Sequence, residues 1–154
     1  MRLIAPYAGR GHALKDRRAE YFDVGTRDEA YFDLLAELWE AAEDFCIVEH
    51  DIQVSGDTID EFERCPQLWC CAPYPYQGDQ LYQGLGCMRF RRELMLAEPD
   101  LLRVVGERSW ADHPLKHWCI MDAGIQRSLW PLGHQPHPHS PVGHEHTTPS
   151  HGCC

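Results

Sequence analysis

Two carboxylates and a histidine stand directly after a short apolar run in the first third of the chain. Glu49 and Asp51 follow the run Phe45–Val48, and His50 lies between them. If the strand continues through these residues, positions two apart face the same way and both carboxylates project together. Open α/β sheets bind ligands at the carboxyl ends of their strands, and paired oxygen donors there suit Mg²⁺ or Mn²⁺ together with phosphate oxygens. The pattern predicts a metal and phosphate site; the alternative is a hydrated strand end.

A histidine-rich segment near the C-terminus offers a second set of metal ligands. It contains the pairs His137-x-His139 and His144-x-His146. In an extended backbone each pair lies on one side of the chain, an arrangement suited to a divalent metal. We expect one of these histidines to return to the acidic pair. The alternative is adventitious metal affinity in an unstructured tail.

Glycines and arginines in "GLGCMRFRREL" form a third candidate site. Gly84 and Gly86 permit close approach of a ligand to the backbone, and Arg89, Arg91 and Arg92 supply cations. We therefore predict that Gly86 and Arg91 contact a bound cofactor. The alternative is a turn followed by the exposed basic start of a helix.

A single aspartate in "HWCIMDAGI" is a candidate general base. Asp122 lies in a segment that reads as a helix. A carboxylate near a substrate hydroxyl can accept its proton during attack. A lone helical aspartate is more often exposed, so this interpretation depends on the other candidate residues.

Alternating helix and strand patterns must position these side chains. A first strand is predicted in "RLIAPYAG", ending at Pro6, and a helix is predicted from Asp28, which is a plausible N-cap. Strands are also predicted in "FCIVEHDI" and "QLWCCAPYPY", and helices in "TIDEFERC", "DLLRVVGE" and "HWCIMDAGIQRSLW". From Gly133 onwards the composition predicts an extended or loop-like tail. The alternation favours an α/β layered domain with a largely parallel sheet.

Length and charge limit the possible partners. A chain of 154 residues fits one domain, and a formal net charge of −10 disfavours non-specific binding to polyanions. Residues 1–18 nevertheless carry five basic side chains, which could form a local anion site. No apolar run reaches the length of a membrane helix and the N-terminus does not read as a signal peptide, so we expect a cytoplasmic protein with no membrane partner.

The eight cysteines are interpreted mainly as reduced thiols in the core. Several of them lie inside apolar runs, and the adjacent pairs Cys70-Cys71 and Cys153-Cys154 lack the spacing of a zinc knuckle. A disulfide framework is the minority interpretation.

Taken in chain order, "CIVEHDI", "GLGCMRFRREL", "HWCIMD" and "PVGHEH" resemble the motifs of a small nucleotide-sugar glycosyltransferase of the A-type fold, of the compact kind found in phage-like genomes. The likeness covers roughly residues 45–146. It implies one compact domain over residues 1–146 with a mostly parallel, reduced central sheet, followed by a tail over residues 147–154. It also implies a bacterial or phage-infected cell as the setting.

The resemblance assigns roles to the matching residues. Asp51 and either His144 or His146 would bind Mn²⁺ or Mg²⁺, Glu49 would hold the ribose or a metal-bound water, and Asp122 would be the catalytic base.

The loop after the first strand would hold the nucleotide base. In this chain that loop offers Pro6, Tyr7 and Ala8, and the donor would be a nucleotide-diphosphate sugar, with uridine as the base expected from family frequency. Only about forty residues separate the first strand from the acidic motif, roughly half of the usual nucleotide-binding half, so a strand–helix unit is missing or reduced.

The implied reaction is an inverting transfer of the sugar to an acceptor hydroxyl. The acceptor would be a saccharide or small molecule, or 5-hydroxymethylcytosine in DNA, although the net charge of −10 argues against strong DNA affinity. Two alternatives stay open: a metal-dependent hydrolase that uses the same side chains, and a non-enzymatic module that binds metal through its Cys/His tail.

Overall fold

The computed structural model describes residues 1–9, 14–27, 29–77, 80–112 and 118–145. The strands in this part of the chain are β1 (Arg2–Tyr7), β2 (Ala19–Asp23), β3 (Phe45–Val48), β4 (Ile52–Gln53), β5 (Trp69–Cys71), β6 (Tyr74–Gln77), β7 (Gln80–Tyr82), β8 (Cys87–Phe90), β9 (His137–Pro138) and β10 (Gly143–His144). The helices are α1 (Ala30–Ala41), α2 (Gly56–Arg64), α3 (Arg92–Ala97), α4 (Leu101–Asp112) and α5 (Trp118–Leu129), and a 3-10 turn follows at Trp130–Leu132.

Six of these strands form the central sheet, in the order β2-β1-β3-β8-β5-β9. The pairings β1–β2, β1–β3 and β5–β9 are parallel, whereas β8 runs antiparallel to both β3 and β5. The predicted α/β architecture with a mostly parallel sheet is therefore confirmed. Strands β1, β3 and β5 end at the same edge of the sheet, and we call this the carboxyl edge.

The chain order around β1 creates a switch point at the carboxyl edge. From β1 the chain passes to β2 on one side and then, through α1, to β3 on the other side. Connections that leave in opposite directions open a crevice between the two strand ends, which is where open α/β sheets hold ligands.

Both faces of the sheet are covered, which explains the apolar run in β3. Phe45 and Ile47 pack in the core beneath α1, α4 and α5, while Cys46 and Val48 pack on the opposite face against Ile59 and Phe62 of α2. All four residues of β3 are buried. A strand covered on both sides loses the polar alternation of a half-exposed one.

Helix α1 presents an apolar stripe to the core. Tyr31, Leu34, Leu35 and Leu38 are all buried at helical spacing. The helix begins at Ala30, and the proposed N-cap Asp28 lies outside the described residues. Ala42 ends the helix in the left-handed conformation, with φ of 48°.

The segment after β3 differs from the prediction. Strand β3 ends at Val48, and Glu49–Asp51 form a turn in which the Ile52 N–H donates to the Glu49 carbonyl oxygen at 3.1 Å. Strand alternation therefore does not set the directions of the Glu49 and Asp51 side chains. Pro6, in contrast, lies inside β1, opposite Phe22 of β2.

The histidine-rich segment is not a loose tail over residues 133–145. Strand β9 adds to the outer edge of the central sheet, and β10 pairs with β4 in a separate two-stranded sheet. Residues 146–154, which include His146 and the predicted tail 147–154, lie outside the described residues.

The cysteine prediction is confirmed where the structure describes the side chains. Among those residues, the free and buried thiols are Cys46, Cys65, Cys70, Cys71 and Cys87. The described residues also contain no helix long and apolar enough to cross a membrane.

Candidate active site

The carboxyl edge brings together segments that are distant in sequence. The turn Glu49–Asp51 lies beside the glycines that precede β8, because the Glu49 N–H donates to the Gly86 carbonyl at 2.8 Å. The same turn holds the chain after β10 through the Glu145 N–H, which donates to the Asp51 carbonyl at 2.8 Å. Pro6, Tyr7 and Ala8 lie at the neighbouring end of β1. The sheet topology therefore gathers most of the predicted site residues.

Asp51 and His144 are in contact across 93 residues of sequence. Strand β10 places His144 opposite Ile52, the neighbour of Asp51. The imidazole Nε2 lies 3.2 Å from Asp51 Oδ2, and the two side chains are 23% exposed for Asp51 and 11% exposed for His144. The structure thus joins an acidic residue of the first motif to a histidine of the last one. His146, the other histidine proposed here, lies outside the described residues.

The contact of His144 with a backbone carbonyl places a proton on its Nδ1 atom. Nδ1 lies 2.8 Å from the carbonyl oxygen of Pro75, which can only accept, so Nδ1 carries a proton. In the neutral ring Nε2 is then a lone pair that faces a carboxylate oxygen. Either a proton or a cation must lie between Nε2 and Asp51 Oδ2, and a backbone carbonyl on the other nitrogen is typical of metal-ligating histidines.

Asp51 has a second oxygen that suits a cation. Its Oδ1 is buried and has no hydrogen-bond partner among the described residues. A buried carboxylate oxygen without a partner is costly, so such an atom calls for a bound ion or water. The donor set of carboxylate and imidazole fits Mn²⁺ or Mg²⁺ when phosphate oxygens complete the coordination.

Glu49 and Asp122 form a second acidic pair beside this contact. The Tyr31 hydroxyl donates to Glu49 Oε1 at 2.7 Å. Burial, together with the negative charge of Asp122, raises the pKa of Glu49 to about 8, while the Tyr31 hydrogen bond opposes the shift. Burial therefore favours the neutral form of Glu49.

Asp122 of α5 is held by the glycine segment. It is only 8% exposed, and its Oδ1 accepts the Leu85 N–H at 2.9 Å. Burial raises the pKa of Asp122 to about 7, against hydrogen bonds from the Leu85 N–H and the Tyr82 side chain that lower it. A carboxyl that titrates near neutral pH can both accept and release a proton, as a general base requires. The common expectation of an exposed helical aspartate does not hold here.

Gly84 and Gly86 create the space that this arrangement needs. A Cβ at Gly84 would lie 2.5 Å from Asp122 Oδ2 and also too close to the rings of Tyr74 and Tyr82. At Gly86 a Cβ would lie 2.8 Å from the ring of Tyr74. The space beside the two glycines is therefore occupied by Tyr74, Tyr82 and Asp122. The contact of Gly86 with a ligand stays a prediction.

Tyrosines that the sequence interpretation did not link to the carboxyls complete the site. The Tyr74 ring lies 5.2 Å from the His144 ring and 6.0 Å from the Tyr82 ring, measured between centroids. Burial raises the pKa of Tyr31 well above its ordinary value, so its hydroxyl stays a donor to Glu49. Tyr31 belongs to the buried apolar stripe of α1. Its place in that stripe does not indicate that its hydroxyl contacts a carboxyl group.

Arg91 does not join the carboxyl edge. It follows the end of β8, which runs antiparallel to β3, and its guanidinium contacts Asp44 Oδ2 at 3.3 Å and the Cys65 carbonyl at 2.7 Å. Asp44 directly precedes β3, so Arg91 lies at the opposite edge of the sheet from Glu49. The structure therefore places Arg91 away from the acidic motif, and its contact with a cofactor stays a prediction. Arg89 is also used internally, since it is buried and donates to the Gln67 and Cys65 carbonyls.

A cleft lined in part by basic residues lies on the α2 side of the sheet. It has a volume of about 690 Å³ and lies between the β1–β2 connection and the start of α2. Lys15, Asp16, Arg17 and Arg18 line one part of the cleft, and Ser55 and Gly56 line another. Arg18 is paired with Asp16, Asp60 and Glu63, so Lys15 and Arg17 are the cations that the cleft offers.

A Cys/His cluster on the other part of the histidine-rich segment could also hold a metal ion. Its members are Cys65, His137 and His139, whose ligand atoms lie within 4.8 Å of one another. Burial lowers the pKa of His139, and the proximity of His137 lowers it further. The sequence indicated the two histidines as metal ligands but not Cys65, because the cysteine is 72 residues from His137.

Comparison with known proteins adds little to this geometry. No protein-family model matches the chain, and no curated protein matches it. A crystal structure of A197 from STIV is similar over 62% of this chain and 68% of its own, with a TM-score of 0.41 and 14% sequence identity. A likeness this weak carries no argument about function.

Proposed function

We propose that the protein is a metal-dependent glycosyltransferase that moves a sugar from a nucleotide diphosphate to an acceptor hydroxyl. The contact between Asp51 and His144, next to Glu49 and the buried Asp122, is the observation that supports this proposal best. The four side chains come from three separate segments of the sequence. Carboxylates with a purely structural role do not require side chains from three distant segments to meet.

Asp51 and His144 are the proposed ligands of the ion. Asp51 offers an oxygen that has no partner among the described residues, and Nε2 of His144 faces the other oxygen of the same carboxylate. When bound there, Mn²⁺ or Mg²⁺ supplies positive charge that stabilises the departing diphosphate. His146 stays a second proposed ligand on the sequence alone.

Asp122 is the proposed base for the acceptor hydroxyl. The Leu85 N–H fixes its Oδ1, and burial holds its pKa near neutrality. The carboxylate accepts the hydroxyl proton as the oxygen attacks the sugar, and attack from the face opposite the diphosphate inverts the anomeric carbon. Glu49, fixed by Tyr31, is proposed to hold the donor ribose.

The donor is proposed to lie along the carboxyl edge. Pro6, Tyr7 and Ala8 at the end of β1 are the proposed contacts of the base, which we take to be uracil from the family resemblance. Gly86 remains a proposed backbone contact of the donor.

The acceptor is proposed to be a saccharide or a small molecule. A net charge of −10 disfavours a nucleic-acid acceptor such as 5-hydroxymethylcytosine in DNA. The reduced connection from β1 to β2, which spans only residues 8–18, leaves little protein to enclose a large donor. A small acceptor would itself help to close the site.

A thermal-shift screen tests the proposal. The full chain is heated with uridine, guanosine, adenosine and cytidine diphosphate sugars, each with and without Mn²⁺. We expect one nucleotide to raise the melting temperature only when Mn²⁺ is present, and Asp51→Asn or His144→Gln to abolish the shift. The matched control Glu37→Gln, an exposed acid of α1, should retain it.

Two outcomes decide against the proposal. Metal-dependent stabilisation by no nucleotide sugar removes the transferase function, and stabilisation that survives Asp51→Asn removes Asp51 from the site. If the stabilising nucleotide sugar is cleaved equally fast with and without any acceptor, the same residues serve a metal-dependent hydrolase.

A further inference from the structure

Cys65, His137 and His139 converge from two elements on the α2 side of the sheet. Cys65 directly follows α2, where its N–H donates to the Glu61 carbonyl at 3.0 Å. Strand β9 places His137 beside Cys70 of β5, and the His139 N–H donates to the Cys71 carbonyl at 2.8 Å. Backbone hydrogen bonds therefore fix the histidines against the end of the helix, independently of any ion.

The spacing of the ligand atoms matches a zinc site. Cys65 Sγ lies 3.7 Å from His137 Nδ1, and all three ligand atoms lie within 4.8 Å of one another. Tetrahedral zinc, with bonds of about 2.3 Å to sulfur and about 2.0 Å to nitrogen, separates such a pair by about 3.6 Å. The first two ligand atoms are already at this separation, and the ligand nitrogen of His139 lies within 4.8 Å of both.

His139 provides a second, independent observation. Its side chain is 12% exposed, and its Nε2 is buried without a hydrogen-bond partner among the described residues. The other ring nitrogen, Nδ1, lies 3.5 Å from Glu61 Oε2, and the ring packs edge-on against Phe62. A carboxylate on one nitrogen and an unsatisfied second nitrogen describe a histidine oriented for a metal.

We propose that Cys65 Sγ, His137 Nδ1 and His139 Nε2 bind one Zn²⁺ ion, that Glu61 orients His139, and that solvent occupies the fourth position. A thiolate with two imidazoles selects Zn²⁺ over the hard cations that carboxylates prefer. On binding, the Cys65 thiol releases its proton to solvent and the histidines bind as neutral rings.

The proposed ion joins the end of α2 to β9, a strand of two residues at the edge of the sheet. Such a short edge strand contributes few hydrogen bonds of its own, and a crosslink across 72 residues restricts the unfolded chain. Strand β10 is held separately, by β4 and by the Val142 N–H that donates to the Pro73 carbonyl at 2.9 Å. The acidic site therefore does not depend on the zinc.

Cobalt substitution tests the proposal directly. The full chain is stripped with a chelator and titrated with Co²⁺, which gives thiolate-to-metal absorption only when a cysteine is a ligand. We expect one Co²⁺ per chain with this absorption, displaced by Zn²⁺ and lost in Cys65→Ala. Cys71→Ala, a buried thiol on the opposite face of the sheet, is the matched control and should retain it.

Two further variants make the result unambiguous. His137 is exposed, so His137→Gln should fold and lower the Zn²⁺ affinity by about a hundredfold or more. A chain with His146, His151, Cys153 and Cys154 all changed to serine should bind as wild type does. Thiolate absorption that persists in Cys65→Ala, unchanged affinity in His137→Gln, or loss of binding in the serine chain would each overturn the proposal.

Discussion

The two candidate metal sites draw on one histidine-rich segment but differ in the ligands that meet it. His144 pairs with the carboxylate of Asp51 and lies beside Glu49 and Asp122, whereas His137 and His139 meet the thiol of Cys65. The strand on which each histidine lies makes the difference, because β10 pairs with β4 and β9 pairs with β5. Pairing of two very short strands thus separates the proposed site for hard cations from the proposed site for zinc.

The surroundings of the two sites differ as well. The acidic site lies at the carboxyl edge, where burial raises the pKa of Glu49 to about 8 and that of Asp122 to about 7. The cysteine site lies between a helix end and an edge strand, where the backbone already holds both elements. We therefore propose chemistry for the first site and a crosslink between two elements for the second.

Asp122→Asn should have the largest effect and should affect only the acidic site. Loss of the general base lowers the turnover of the stabilising nucleotide sugar by about 10²- to 10⁴-fold, with donor affinity and Zn²⁺ binding unchanged. Released nucleotide diphosphate measures the rate. The control Glu107→Gln changes an exposed acid of α4 and should retain full turnover. Near wild-type turnover in Asp122→Asn would remove its assigned role.

The same residue should make the chelator-treated protein less stable as pH rises. The pKa of Asp122 is raised from about 4 to about 7, so the folded state retains a proton that the unfolded state has lost. This contribution to stability is complete below about pH 4 and disappears as pH rises to about 7, a change on the order of a few kcal/mol. Glu49 acts in the same direction, while Tyr31 and Tyr74, whose pKa values are raised by burial, stay neutral over this range.

Urea unfolding at several pH values measures this effect in wild type and in Asp122→Asn. The free energy of unfolding should fall less steeply between pH 4 and pH 7 in the variant. Parallel pH profiles for the two proteins would show that Asp122 is not held in its neutral form. The cysteine site is tested alongside with Cys65→Ala, which should leave the slope unchanged.

Gly84→Ala should disturb the acidic site without reaching the cysteine site. The added Cβ would lie 2.5 Å from Asp122 Oδ2, so the carboxyl or the tyrosines must move, at a cost of about 1–3 kcal/mol. Thermal unfolding measures the cost, and Zn²⁺ affinity should not change. Gly56→Ala is the matched control because a Cβ there meets nothing within 4 Å. Equal melting temperatures for the two variants would contradict the packing described at Gly84.

Glu61→Gln should have the smallest effect and should be confined to the cysteine site. The carboxylate orients His139 through Nδ1 at 3.5 Å and does not bind the ion itself. We expect Zn²⁺ affinity to fall by about tenfold, with Mn²⁺-dependent nucleotide binding intact. Competition with a chromogenic zinc chelator gives the affinity. A complete loss of zinc would instead make Glu61 a direct ligand.

The sequence predicted the elements better than the directions of their side chains. Apolar patterns located α1, α2 and β3, because burial of one helix face leaves a helical periodicity and burial of a strand on both faces leaves an unbroken apolar run. The alternation argument failed at Glu49 and Asp51, since a turn begins after Val48. The sequence changes from apolar to polar over these residues. The exact residue at which the strand ends depends on backbone hydrogen bonds, which the hydrophobic pattern does not reveal.

Long-range pairing explains the remaining differences. The sequence indicated Asp51 and a late histidine as partners. It did not show that His144 would lie at one site and His137 and His139 at another, because their positions depend on the pairing of β10 with β4 and of β9 with β5. Arg91 was misplaced for the same reason: an antiparallel β8 carries it to the edge opposite Glu49. When two neighbouring strands are antiparallel, the residues that follow one strand lie at the edge of the sheet opposite the residues that follow the other.

Metal binding by two single variants tests the central claim most directly. Chelator-treated wild type, Asp51→Asn and Cys65→Ala are titrated calorimetrically with Zn²⁺, and with Mn²⁺ in the presence of the stabilising nucleotide. We predict that Asp51→Asn loses Mn²⁺ binding and keeps its tight Zn²⁺ binding, whereas Cys65→Ala loses the tight Zn²⁺ binding and keeps Mn²⁺ binding. If either substitution abolishes the binding of both metals, the histidine-rich segment serves one site and the division into two is wrong.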